Sequence, residues 1–338
     1  MPLDARAHVL LILAAHHVLT RIRDDPESCL IGSLPNRLQK LLTEWLAAAG
    51  VANTCTDAMV LALLPFFQPS SLRRIECVSA ELGVSLHVDV YCGRRHGTAA
   101  QQLPVLIFVH GGAWTLGSRR QYRAVGQRLA HEGFVAVIVG YPLWPQADAT
   151  AQVASVRTVV AQTKLHAAQW GGDPRRVFLS GQSSGANVCA MALLSPLAEA
   201  STRLSCAGLV GMSGVYDCVA HAAFEARRSL SAFSPMPLAC ASLHAHSPTL
   251  LVEREGWTLG CDRVLLLHGE RDRVVPASSS ALFALALTRG GQPSVEYEVL
   301  PEDGHFSFLV SLSLGRRTEP LLGRLKHFCG LSEPRARL

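Results

Sequence analysis

RVFLSGQSSG, residues 176–185, runs a short apolar segment straight into two serines framed by glycines. Val177-Phe178-Leu179 has the composition of a buried strand, too short for a helix. Glycine and serine end strands as ordinary turn residues, so a plain turn is the minimal reading. Gly181-Gln182-Ser183-Ser184-Gly185 also fits G-x-S-x-G, the pattern that lifts a serine out of a sheet at a sharp strand-to-helix bend. The flanking sequence separates these two readings.

On either side lie further short apolar runs: Val105–Val109, Val135–Val139, Cys206–Val210 and Val264–Leu267. Segments of helical length separate them, at 121–132, 149–170, 185–198, 278–289 and 320–329. Solid apolar runs alternating with helices specify a parallel sheet covered on both faces. Arg73–Leu82 and Ser85–Tyr91 alternate apolar and polar and read as an antiparallel hairpin, and Val295–Leu300 alternates as an edge strand does. The fold class is therefore α/β, with a mostly parallel eight-stranded sheet and helices on both faces. Residues 1–70 carry helical patterning and no strand pattern, which divides the chain into an N-terminal helical cap segment, 1–70, and an α/β domain, 71–338.

In such sheets ligands gather beyond the carboxyl ends of the strands. Four of the strands run into loops with chemistry: His110-Gly-Gly-Ala-Trp114, the GQSSG turn, His268-Gly-Glu-Arg-Asp272 and Pro301-Glu-Asp-Gly-His305. A serine hydroxyl is a weak nucleophile until a base takes its proton, and histidine titrates in the right range. The base needs an anion to fix its tautomer, and the oxyanion needs N–H donors aimed at it. Ser183 suits the nucleophile, His305 the base and Asp272 the acid. The N–H groups of Gly111, Gly112 and Ser184 suit an oxyanion hole. Ser184 is the rival hydroxyl, and Glu270 and Asp303 are rival acids. His110 and His268 read as structural. Trp114 and Tyr216 are candidates for the substrate pocket, with packing as the alternative for each.

These motifs, in the order Ser, Asp, His, resemble the α/β-hydrolase superfamily, in the hormone-sensitive-lipase-like esterase branch with an HGG-type oxyanion motif. The resemblance runs from about residue 70 to 330. The segments GYPLWP (140–145), WGGDP (170–174), GQSSGAN (181–187) and SGVYD (213–217) are similar to those of prenylcysteine methylesterases and kynurenine formamidase-like enzymes. The family's H-G-x-x-D-x-x-V-P pattern, matched from His268 to Pro276, favours Asp272 over its rivals. The resemblance implies a serine hydrolase of carboxylic esters acting on an apolar or lipid-like small molecule, such as a prenylcysteine methyl ester. Arylformamide hydrolysis and a catalytically silent ligand-binding homologue are its alternatives. One departure is Tyr141-Pro142, where the family often has Tyr-Arg, beside the oxyanion loop.

Composition narrows the classes further. Of 338 residues, 49% are hydrophobic and 17% charged, which excludes a disordered chain and suits an apolar pocket. The net charge of +5 comes from scattered basic pairs rather than a stripe, so no nucleic-acid partner is expected. No metal-ligand spacing, P-loop or dinucleotide fingerprint occurs, and no cofactor is expected. The 10 cysteines sit mostly in apolar segments and read as reduced core residues of a cytoplasmic protein. Two apolar stretches, His8–Ala15 and Ala58–Phe67, are too short to span a bilayer. They read as amphipathic or buried helices, the alternative being a peripheral contact with an internal membrane such as the endoplasmic reticulum.

Overall fold

The computed structural model describes residues 73–79, 84–93, 102–196, 203–254, 256–314 and 319–331. The cap expected over 1–70, with both apolar stretches, lies outside the described residues. Among the described residues ten strands occur, in the order β1 (Arg73–Ser79), β2 (Val84–Cys92), β3 (Leu103–Val109), β4 (Val135–Gly140), β5 (Gly172–Gln182), β6 (Leu194–Pro196), β7 (Gly208–Met212), β8 (Trp257–Leu259), β9 (Arg263–Gly269) and β10 (Ser294–Leu300). The helices are α1 (Arg123–His131), α2 (Ala149–His166), α3 (Ser184–Leu193), α4 (Cys218–Arg227), α5 (Met236–Ala239), α6 (Pro248–Val252), α7 (Ser278–Arg289), α8 (Ser307–Leu314) and α9 (Glu319–Phe328).

Eight strands form one sheet in the order β1-β2-β4-β3-β5-β7-β9-β10. β1 and β2 make the expected hairpin, Arg73 opposite Val90 and Ser79 opposite Val84. β2 also pairs antiparallel with β4, and every later pairing is parallel. Alternation along β3 explains the two cores. Val105, Ile107 and Val109 face one side, with Val156 and Val160 of α2, Ala186 of α3 and Phe283 of α7. Leu106 and Phe108 face the other, with Leu129 of α1, Leu309 of α8 and Phe328 of α9. A strand buried on both faces reads as an unbroken apolar run, because every side chain enters one core or the other.

Local signals set the helix ends. Asp148 caps α2 by accepting from the Ala151 N–H at 2.8 Å. The expected 149–170 helix becomes α2 followed by one 3-10 turn, Ala167–Trp170, closed by Gly171 at φ +84°. The 185–198 segment is helical only to Leu193, because β6 then pairs antiparallel with β8. The run expected at 206–210 sits two residues later, as β7. Its partner β5 reaches Gln182, so Phe178–Gln182 pairs with Gly208–Met212.

Candidate active site

β5 delivers Ser183 to the carboxyl edge of the sheet, and α3 begins at the next residue. Ser183 has φ +55° and ψ −126°, a conformation that costs a non-glycine residue about 1–3 kcal/mol. Its N–H donates to Met212 O at 2.9 Å, and its carbonyl accepts from the Ala186 N–H at 3.0 Å. The flanking glycines are required by close approach. A Cβ on Gly181 would strike the Gly185 carbonyl, and one on Gly185 would strike the carbonyls of Val109 and His110.

That second contact sets the end of β3, and with it the HGGAW loop, against the elbow. A Cβ on Gly111 would lie 2.8 Å from Ser183 Cβ. Gly112, Ala113 and Trp114 all have positive φ, at 130°, 51° and 62°. Hydrogen bonds hold this strained loop. Gly112 O accepts from the N–H groups of Thr115 and Leu116 at 3.0 and 2.8 Å. Trp114 O accepts from Trp144 N at 3.0 Å and from Gln152 Nε2 at 2.9 Å. The Trp114 N–H donates to Ser184 Oγ at 3.3 Å, and the Tyr141 hydroxyl donates to His110 O at 2.7 Å. At the Tyr141-Pro142 departure, Tyr141 therefore supports this loop. Among the described residues, the N–H groups of Gly111, Gly112 and Ser184 take no hydrogen-bond acceptor. His110 is fully buried against Tyr141, and burial pushes its pKa down to about 4 despite its bond to Gly111 O.

The acid turn follows β9. Asp272 Oδ1 accepts from the N–H groups of Val274 and Val275 at 2.8 and 2.9 Å. Its Oδ2 lies 2.7 Å from His305 Nδ1 and 3.2 Å from His268 Nε2. Burial pushes the Asp272 carboxyl up, but the charges and hydrogen bonds of His305 and His268 outweigh it and hold the group well below the usual carboxylate range. The rivals stand elsewhere: Asp303 accepts from Ser307 Oγ at 2.8 Å, and Glu270 is exposed. The base loop is tied to the acid turn, with Arg271 N donating to Asp303 O at 2.9 Å. It is tied to the elbow through Gln182 Nε2, which donates to His305 O at 3.1 Å. The fold therefore brings Ser183, Asp272, His305 and the glycine loop to one edge of the sheet. Gln182 occupies a variable position of the motif, and no spacing signal marks it.

Residues 88–287 match the BD-FAE family model. The chain belongs to the BD-FAE family, a family of α/β-hydrolases. The matched region of this BD-FAE chain holds the glycine loop, the elbow and the acid turn, and ends before His305. It is similar to a probable isoprenylcysteine alpha-carbonyl methylesterase (ICME) of Oryza sativa subsp. japonica, 30% identical over 210 residues, 56% of this chain and 48% of that one. It is also similar to esterase LipQ of Mycobacterium tuberculosis, 30% identical over 240 residues, 64% of this chain and 53% of that one. The chain thus spans about half the length of the curated relatives it matches. Among solved structures, a Pyrobaculum calidifontis esterase superposes with a TM-score of 0.64 at 18% identity, over 82% of this chain and 90% of that one, which establishes the shared fold.

In this BD-FAE chain the pocket candidates are packed. Tyr216 is fully buried and stacks on Phe283 at 4.4 Å, and Trp114 is 2% exposed. Tyr216 opens the excursion between β7 and β9, whose neck is closed by Asn187 of α3. Asn187 Nδ2 donates to the carbonyls of Val215 and His246, each at 2.8 Å. The Cys218 N–H donates to Ser247 Oγ at 2.8 Å, and the Thr249 N–H to Tyr216 O at 2.9 Å. Among the described residues seven cysteines are free, and Cys189, Cys218, Cys240, Cys261 and Cys329 of these are buried. Among the described residues no cluster of His, Cys, Asp or Glu could hold a metal ion, and no helix is long and apolar enough to cross a membrane.

Proposed function

We propose that this protein is a serine hydrolase of carboxylic esters that works by acyl transfer. The observation that carries the reading is the 2.7 Å contact of His305 Nδ1 with the buried Asp272 carboxylate, on a loop hydrogen-bonded to the residue before Ser183. Asp272 holds the hydrogen on Nδ1 and leaves Nε2 free to accept the Ser183 proton. Ser183 Oγ attacks the ester carbonyl. The N–H groups of Gly111, Gly112 and Ser184 receive the oxyanion, each such donor being worth about 10²–10³-fold in rate. His305 then protonates the departing alcohol, and water attacks the acyl-enzyme by the same route in reverse.

The apolar composition and the names of the relatives support an apolar ester as substrate, and the methylesterase relative supports a prenylcysteine methyl ester in particular. A chain-length series of p-nitrophenyl esters tests the chemistry, and methanol release from S-farnesylcysteine methyl ester tests the finer assignment. Ser183→Ala is expected to lose about 10⁵–10⁶-fold in kcat/KM, the scale of nucleophile loss in serine hydrolases. Equal turnover by wild type and variant would refute the role of Ser183.

A further inference from the structure

Asp272 Oδ2 has two histidine neighbours, and the acyl-transfer scheme uses one. The second, His268, is the sixth residue of β9 and is completely buried. Its Nε2 lies 3.0 Å from Val275 O and 3.2 Å from Asp272 Oδ2. A carbonyl and a carboxylate only accept, so Nε2 must carry the hydrogen and donate to both. Its Nδ1 lies 2.7 Å from the hydroxyl of Ser280, in the first turn of α7. A buried imidazole is cheaper neutral than charged, so Nδ1 is the lone pair and Ser280 the donor. Asp272 thus receives four N–H groups: Val274 and Val275 on Oδ1, His268 and His305 on Oδ2.

We propose that His268 is a positioning residue that shares the Asp272 carboxylate with His305, locking its rotation and moderating its pull on the base. The proposal rests on the triad reading above. A carboxylate with one side-chain donor would concentrate its charge on His305 and raise the basicity of that ring. A second donor on the same oxygen disperses the charge and weakens that pull. Ser280 holds the donating tautomer of His268 and anchors the cluster to α7. Other charged groups face it from the surrounding elements. Arg228, beyond the end of α4, feels Asp272, and Arg273 lies on the acid turn. Asp303 precedes the base, Glu270 is exposed, and the Arg271–Glu302 pair at 3.0 Å joins the two loops. Substitutions at His268 alone leave all of these in place.

The test measures the rate at which an alkyl fluorophosphonate labels Ser183 as a function of pH, which needs no natural substrate. The acid limb of that rate reports the protonation that removes the base. In His268→Met, which fills the space without a donor, the acid limb is expected to move up by about one pH unit. His268→Gln, whose amide nitrogen reaches the place of Nε2, should bring most of it back. A limb that stays put while only the plateau falls would overturn the proposal, as would Gln behaving like Met. Labelling that survives in Ser183→Ala would instead sink the triad reading. Should His268→Met not fold, ¹⁵N imidazole shifts of the wild-type protein decide. The His268 hydrogen is expected on Nε2, facing Val275 O and Asp272, and an Nδ1–H ring overturns the proposal.

Discussion

Replacing Asp272 by Asn reverses the hydrogen-bonding sense of one atom in a buried group, and the four N–H donors around it dictate the result. The amide oxygen can take the place of Oδ1 and keep the N–H groups of Val274 and Val275. The amide NH₂ then meets His268 Nε2 and His305 Nδ1, where two donors had been accepted. Flipping the amide only moves the conflict onto the two backbone N–H groups. His268 cannot yield, because its Nε2–H is also claimed by Val275 O. His305 can, by moving its proton to Nε2, and in that tautomer it cannot deprotonate Ser183. The corresponding acid-to-amide change in a serine protease costs about 10⁴-fold in kcat. A loss of that size here corresponds to about 5.4 kcal/mol at 1.36 kcal/mol per tenfold. Leaving buried donors opposed costs a further ~1–3 kcal/mol of stability. The assay is kcat/KM on p-nitrophenyl butyrate at the plateau pH, with thermal melts establishing that the variant folds. Asp303→Asn, whose carboxylate accepts from Ser307 Oγ, is the control and should stay within a few-fold of wild type. A folded Asp272→Asn protein within tenfold of wild type would refute the assignment of the acid.

Four further outcomes concern the elbow, the loop that faces it and α9. Gly185→Ala should cost more than about 3 kcal/mol or abolish soluble expression, since its Cβ meets two backbone carbonyls. Gly323→Ala in α9, where a Cβ meets nothing, should instead raise stability by up to about 1 kcal/mol, and chemical denaturation measures both. Tyr141→Phe removes the hydroxyl that holds His110 O and should lower kcat with KM little changed; a change confined to KM would place Tyr141 in substrate binding. The folded state holds His110 neutral down to about 4, whereas an unfolded chain takes the proton near 6.5. Stability should therefore fall as pH drops from about 6.5 to 4, on the order of 3 kcal/mol in full. His110→Phe should flatten that decline in urea melts at pH 7 and pH 4.5, and an unchanged slope would contradict a neutral His110.

What could be read from the chain beforehand was whatever depends on local pattern. Apolar runs buried on both faces announce themselves, so the eight strands of the main sheet were legible, apart from the two-residue offset of β7, which depends on how far β5 extends. β6 and β8 escaped because three-residue strands carry no period. α4 was missed although Asp217, whose carboxylate accepts from Ala220 N at 2.8 Å, is a readable N-cap. α8, SFLVSLSL, spaces its serines at 307, 311 and 313 around the helix and so shows no helical stripe. At the site, Ser183, Asp272, His305 and the glycines were legible because each lies in a loop that follows a strand. Gln182, Asn187 and the contact of His268 with Ser280 were not, since their partners are distant in sequence and only folding brings them together.

The neck closed by Asn187 has a consequence for how such a chain can diversify. The helix that starts at the elbow grips both ends of the 215–246 excursion by their carbonyls, whatever side chains lie between. Backbone acceptors are indifferent to sequence, so the excursion behaves as an exchangeable cassette on a fixed socket. Its interior can be lengthened, shortened or recoded while the socket stays put. Selection for new substrates can then act on one segment without renegotiating the geometry of the reacting groups.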